Sequence, residues 1–343
     1  MKTSQVLGLA AAAGACGLVL SRLARTKYGI DFYGKSVVIF GGSRGLGLEI
    51  ARQLASEGAY LTLCARDAEA LERARMDLDD RGFSATTIPC DIRDRRDVEA
   101  AIQRVVAEHG AIDVLINDAG LIQVGPVELM TVADFENAMA TNFWGPLFAI
   151  LAALPHMRRF GDRRIVNISS IGGKIAVPHL VPYSASKFAL TGLSEGLRAE
   201  LAREGFSVTT VCPGLMRTGS TYNAQFKGKH RQEFAWFHVA DSMPGLSISA
   251  SRAARQILEA CRRGDPELII TPAARVAVAL NGISPSLTGR LLEMANWLMP
   301  RAGNAGPDDT RSGWQSVSST VPSAITKLAD QATIDNNELP AKD

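Results

Sequence analysis

A hydroxyl, a phenol and an ammonium recur at set intervals in SSIGGKIAVPHLVPYSASK: Ser170, then Tyr183, then Lys187 four residues further on. On a helix a spacing of four places Tyr183 and Lys187 on one face. An unperturbed tyrosine has a pKa of about 10, and bringing it near neutrality takes roughly 3 units, or about 4 kcal/mol. One close cation in a poorly solvated cleft can supply most of that. A phenol tuned this way passes a proton to or from an alcohol at working pH. Tyrosine and lysine four apart also occur on plain exposed helix faces, so the pair needs partners and a scaffold to mean anything.

The scaffold is legible as alternation. Strand candidates rich in β-branched residues lie at 36–40, 60–64, 85–90, 113–117, 164–169, 207–212 and 267–271. Between them run helical patterns such as LGLEIARQLASEG and DAEALERARMDLDDRG, several of which stop at a glycine. Near-continuous apolar strands alternating with helices predict an α/β fold: a doubly wound parallel β-sheet with helices on both faces.

Directly after the first strand comes Gly41-Gly42-Ser43-Arg44-Gly45-Leu46-Gly47, opening a helix. Glycines at 41, 45 and 47 permit a tight turn, let the backbone approach a pyrophosphate and aim a helix N-terminus at its charge. The bland alternative is an ordinary strand-to-helix loop. At the end of the second strand an NAD-preferring site usually presents an acid to the ribose 2′-hydroxyl. Here stands Arg66, which with Arg44 suits a 2′-phosphate and argues for NADP(H); Asp67 follows directly, so NAD(H) stays open.

The glycine turn, Asn117-Asp118-Ala119-Gly120, Asn142, Ser170, Tyr183, Lys187 and Pro213-Gly214 occur in one order. Over residues 35–271 the chain resembles the short-chain dehydrogenase/reductase family. The resemblance implies that Tyr183 is the general acid/base and that Lys187 lowers its pKa and holds the nicotinamide ribose. It implies that Ser170 hydrogen-bonds the reacting oxygen and that Asn142 positions a water in a proton relay. Ser43 and Leu46 belong to the cofactor turn, Asp91 and Ile92 would lie by the adenine, and Asn117, Ala119 and Gly120 along the adenosine. Pro213, Gly214 and Thr218 would meet the nicotinamide end. The chain departs from the family pattern at Phe40, usually Thr, and at Asp118, usually Asn.

The same resemblance makes 219–245 a substrate lid within a catalytic domain over 35–272, and it implies a homo-oligomer packed through the helices bearing Asn142 and Tyr183. Phe226, Phe234, Trp236 and Phe237 could line an apolar pocket or pack the lid onto the body, and His230 and His238 read as surface residues. The expected chemistry is hydride transfer between a nicotinamide cofactor and a hydrophobic ketone, aldehyde or alcohol. The other reading is a catalytically silent nucleotide-binding sensor or scaffold.

The flanks differ from this middle. Residues 6–20 are uncharged and apolar, with Arg22, Arg25 and Lys27 following. A 15-residue helix reaches about 22 Å, short of a hydrocarbon core of about 30 Å. The charge order favours an uncleaved anchor over 6–24, within a leader of 1–34, that keeps the globular part on the cytoplasmic side. A signal peptide and a disordered leader are the alternatives. Residues 273–300 read as an apolar helical segment that either caps the core or docks on a membrane. Residues 301–343, rich in Gly, Pro, Ser, Asp and Asn, read as a largely disordered tail with a short helix near 324–332. A net charge of +2 with no long basic run gives no nucleic-acid surface. Five scattered cysteines and five histidines show no metal-ligand spacing.

Overall fold

The computed structural model describes residues 29–159, 162–243, 245–303, 306, 309–317 and 323–339. The expected anchor over 6–24 lies outside them. Seven strands form the central sheet: β1 (Ser36–Phe40), β2 (Tyr60–Ala65), β3 (Ala85–Pro89), β4 (Val114–Asn117), β5 (Arg164–Ile168), β6 (Ser207–Pro213) and β7 (Glu267–Ile270). Every pairing is parallel, in the order β7-β6-β5-β4-β1-β2-β3. The order reverses between β1 and β4, which opens a crevice at the carboxyl ends of those strands.

Successive side chains along each strand point to opposite faces, and burial is nearly continuous because helices cover both. Val37 and Ile39 pack on one side with α1 (Gly45–Ser56), α2 (Ala68–Asp80) and α8 (Ala250–Arg263). Val38 and Phe40 pack on the other with α3 (Arg95–His109) and α5 (Gly145–Met157). Each fully buried Leu, Ile or Val contributes about 1.5–3 kcal/mol relative to exposure. Caps mark the helix ends: Asp94 accepts from the Arg96 amide at the start of α3, and Gly110 ends that helix in a left-handed conformation at φ 74°.

A helix running from α4 (Val132–Met139) through a π-helical turn (Ala140–Trp144) into α5 is long and apolar enough to cross a membrane, but half of its most apolar stretch is buried in the body. It is a core helix. The catalytic-spacing residues ride on α6 (Val181–Leu201), and the lid carries α7 (His230–Ser242).

Residues 273–300 do form a helix pair, α9 (Pro272–Ile283) and α10 (Pro285–Trp297), but the pair hardly caps the core. It buries Ala274 and Thr288, whereas Ile283, Met294, Trp297 and Leu298 stand exposed. The tail carries the short helix expected near 324–332, and the residues just beyond it are packed against the body. Helix α11 (Ser323–Asp335) packs against α7, and Asn336 and Glu338 are buried beyond it. Polar composition suggested a solvated segment, yet here the polar side chains find fixed partners in the body.

Candidate active site

Four loops at the carboxyl ends of the strands converge on one cavity of about 670 Å³. They are the glycine turn after β1, Asp118-Ala119-Gly120 after β4, Ser170 after β5 and Pro213-Gly214 at the end of β6. Gly41 and Gly47 have no room for side chains. A Cβ on Gly41, at φ +94°, would stand 2.5 Å from the Ala119 nitrogen, and one on Gly47 only 2.2 Å from the Gly41 oxygen. These glycines let α1 abut the turn and bring the N-terminus of that helix to the cavity. A helix N-terminus in such a place suits the pyrophosphate of a dinucleotide.

Tyr183 and Lys187 meet on the face of α6 that looks into the cavity, as their spacing requires. The Ser170 hydroxyl and the Tyr183 ring flank Gly172, and Ser170 Oγ accepts the Gly172 amide at 3.0 Å. Burial pushes the Tyr183 phenol up to about 12, with the neighbouring Ser170 hydroxyl pulling the other way. The expected lowering by Lys187 is therefore not the ruling influence in this cleft; loss of hydration is. The Lys187 ammonium donates to the Ile168 carbonyl at 2.8 Å, and burial lowers its pKa while the Asp118 carboxylate opposes the shift. Asp118 is itself pushed up by burial, with Lys187 and the Gly47 amide holding it down. Two departures from family expectation thus gain a setting: Asp118 faces Lys187 electrostatically, and Phe40 is a fully packed core residue.

Asn142 sits on the π-helical turn, where the Gly145 amide reaches back five residues to the Ala140 carbonyl. Its side chain is wholly buried and occupied. Oδ1 accepts the Leu121 amide at 2.8 Å, and Nδ2 donates to the Leu121 carbonyl and to Ser186 Oγ at 3.0 and 2.9 Å. The Ser186 hydroxyl donates in turn to the Tyr183 carbonyl at 2.7 Å. The amide thus ties the Gly120 loop to α6, and it does not face the cavity.

Other expected cofactor residues divide in the same way. Ser43, Arg44, Gly45, Leu46, Arg66, Ile92, Ala119, Gly120, Pro213, Gly214 and Thr218 line the cavity together with Gly41. Asn117 does not: its side chain turns into the sheet and donates to Asn167 Oδ1 at 2.8 Å. Asp91 is engaged by Arg93 at 2.6 Å beside the cavity, between the lining residues Cys90 and Ile92. Gly47 serves packing, for the steric reason above. Asp67 caps α2 by accepting the Ala70 amide at 2.9 Å, while Arg66 is exposed at the rim.

At the substrate end Val177, Leu180, Trp236 and Phe237 present apolar surface. Phe226 and Phe234 instead pack the lid, in edge-to-face contact at 5.7 Å. His238 is buried rather than exposed and lies 3.1 Å from Asp330 of α11. Two acidic cavity residues escaped the sequence reading. Asp241, on α7, is a buried carboxyl pushed up to about 7 by desolvation, and the Thr221 hydroxyl donates to it at 3.0 Å. Glu338 belongs to the chain's far end and reaches the glycine turn only through tertiary folding. Among the described residues no cluster of three or more metal-ligating side chains occurs.

The sequence profile of the family described as short chain dehydrogenase matches residues 35–227. A relative from Anopheles gambiae, named dehydrogenase/reductase SDR family protein 7-like, is 34% identical over 74% of this chain and 80% of its own length. A putative ketoacyl reductase of Streptomyces coelicolor is 38% identical over 53% of this chain and 70% of its own. Among solved structures, a variant of actinorhodin polyketide ketoreductase with NADPH is 30% identical, covers 70% of this chain and 97% of its own, and superposes with a TM-score of 0.62. A gluconate 5-dehydrogenase from Burkholderia cenocepacia, in complex with NADP and tartrate, is 27% identical, covers 71% and 96%, and has a TM-score of 0.61. Profile, relatives and fold agree, and the chain belongs to the short-chain dehydrogenase family of oxidoreductases.

Proposed function

We propose that the protein is an NADP(H)-dependent oxidoreductase interconverting a lipophilic ketone or aldehyde with its alcohol. The observation that carries the reading is the convergence of Ser170, Tyr183 and Lys187 in one cleft with the glycine turn, Tyr183 and Lys187 sharing a helix face. A bound nicotinamide supplies or accepts the hydride. The chain's own residues handle the proton and the oxygen. In reduction, Ser170 and the protonated Tyr183 phenol donate hydrogen bonds to the substrate carbonyl oxygen, and Tyr183 passes its proton as alkoxide charge develops. Lys187, one helical turn on, places positive charge beside the phenolate that remains. In oxidation the same phenolate takes the alcohol proton.

A preference for NADP(H) is supported by Arg44 and Arg66 lining the cavity; Asp67 lines it too, with its Oδ1 engaged by the Ala70 amide at the start of α2. A lipophilic substrate is supported by Val177, Leu180, Trp236 and Phe237. Association with a membrane from the cytoplasmic side is supported by the sequence of residues 6–24 and by the exposed apolar side chains of α10. A homo-oligomer packed through the helices of Asn142 and Tyr183 is supported by exposed Trp144, Leu151 and Phe188. The silent-sensor reading has no comparable support, since hydroxyl, phenol and ammonium are all present and converge. The test is NADPH oxidation against a panel of lipophilic carbonyls. Tight NADPH binding without turnover of any carbonyl or alcohol would sink the enzyme reading.

A further inference from the structure

The glycine turn that would hold a pyrophosphate is engaged by the chain's own C-terminal segment. The Gly45 amide donates to the Asn336 carbonyl at 2.8 Å. A Cβ on Gly45 would stand 2.6 Å from Glu338 Oε1, so the carboxylate lies against the turn itself. Its other oxygen accepts from Asn223 Nδ2 at 2.6 Å and pairs with Arg44 Nε at 3.6 Å. Glu338 is 3% exposed although it stands near the end of the sequence.

The segment is held on both sides of the cleft. Asn337, at φ 57°, donates to the Ser43 carbonyl at 2.8 Å and to the Ala70 carbonyl at 3.0 Å, and accepts from Arg73 at 2.8 Å. Asn336 donates across to the Thr218 carbonyl at 3.3 Å. Helix α11 anchors the segment on the lid, where Asp330 accepts the Tyr222 hydroxyl at 2.6 Å.

A helix N-terminus with free amides attracts an anion, and a carboxylate oxygen meets the same donors as a phosphate oxygen. One Gly45 N–H cannot serve both, and a pyrophosphate beside the Glu338 carboxylate would meet like charge in a poorly hydrated cleft. We propose that residues 336–338 form an intrachain plug that competes with the dinucleotide for the glycine turn, so cofactor binding requires the tail to leave. This rests on the reading of the cleft as a dinucleotide site. Tethering supplies an effective concentration in the millimolar range, so modest contacts suffice to keep the plug seated. A plug seated in nine molecules of ten weakens apparent cofactor affinity about tenfold.

The test compares three proteins: the full chain, a chain ending at residue 322, and full-length Glu338→Ala, which keeps the tail's other anchors. NADPH and NADH affinities are measured by fluorescence titration. Hydrogen exchange of residues 323–339 is followed in the full chain with and without saturating NADPH. The plug predicts affinity tighter by about fivefold or more in both variants and faster tail exchange when NADPH binds. Unchanged or weaker affinity in the variants, or slower exchange with NADPH, would show the tail to be a bystander or a clamp and overturn the plug. If every form bound NADPH equally, only the plug would fall. If none bound either nucleotide, the dinucleotide reading of the cleft would fall with it.

Discussion

The Lys187 ammonium lies over the ring of Tyr183, 5.8 Å from its centre, and donates its hydrogen bond to the Ile168 carbonyl instead of the phenol oxygen. Lysine and tyrosine therefore act on each other through space, while the phenol oxygen stays available to Ser170 and to a substrate. Replacing Tyr183 with Phe removes the proton and leaves this packing in place. General acid–base groups contribute about 10²–10⁴-fold, so Tyr183→Phe is expected to lower kcat by that order. Its NADPH affinity by fluorescence titration should stay within about threefold of the parent. A variant keeping a tenth or more of parental kcat would remove Tyr183 from the chemistry.

The direction of pH dependence follows from the raised phenol. In the free chain burial pushes Tyr183 up to about 12, so the proton-donating form persists through neutrality. Reduction should accordingly be flat across neutral pH and decline only in alkali. Oxidation needs the phenolate, whose fraction grows with pH, so its kcat should climb from neutrality upward. The positive ring of an oxidised nicotinamide lowers the phenol's pKa in the complex and brings that climb to milder pH. Measuring kcat in both directions over one pH series checks this. An oxidation rate that falls as pH rises from neutral would contradict the assignment.

Cofactor choice should rest on Arg66. A charge-assisted contact to a phosphate is worth about 1.5–3 kcal/mol, so Arg66→Asp is expected to raise the KM for NADPH about 10–100-fold. The KM for NADH should hold or improve, because an acid at that position suits a ribose hydroxyl. Equal loss with both nucleotides would place Arg66 outside 2′-phosphate recognition.

Two glycines with opposite surroundings provide a paired stability experiment. A Cβ at Gly47 would collide with the Gly41 oxygen, whereas one at Gly192, within α6, meets nothing within 4 Å. Overpacking costs about 1–3 kcal/mol, so Gly47→Ala should lower Tm by roughly 1–5 °C and weaken NADPH binding. Gly192→Ala relieves a helix of its glycine and should gain about 0.5–1 kcal/mol. Calorimetry of the two variants side by side decides; equal shifts would mean the turn has more slack than its distances imply.

Removing residues 1–25 should shift the protein from the membrane to the soluble fraction after cell lysis, since 6–24 carry the longest uncharged apolar run. Fractionation and immunoblotting measure it. An unchanged distribution would dismiss the anchor and turn attention to the exposed apolar side chains of Trp297 and Leu298.

What sequence alone determined is what depends on near neighbours in the chain. β-branched runs and glycine-stopped helices marked all seven strands of the sheet to within a residue or so. The interval from Tyr183 to Lys187 put both on one face of α6, because helical geometry is local and repeats. The glycine turn was legible because only glycine tolerates Gly41 at φ +94° against Ala119. Tertiary structure decided what depends on distant partners. Asn117 turned inward to Asn167 and Asn142 closed on Leu121, through hydrogen bonds that only strand pairing and helix packing create. Tyr183 was raised by burial, since desolvation is a property of the closed cleft and not of a spacing. Most of all, a polar tail read as solvated by composition proved to seat Asn336 and Glu338 on the glycine turn. Composition counts polar groups, but which of them find buried partners is settled only when the ends of the chain meet.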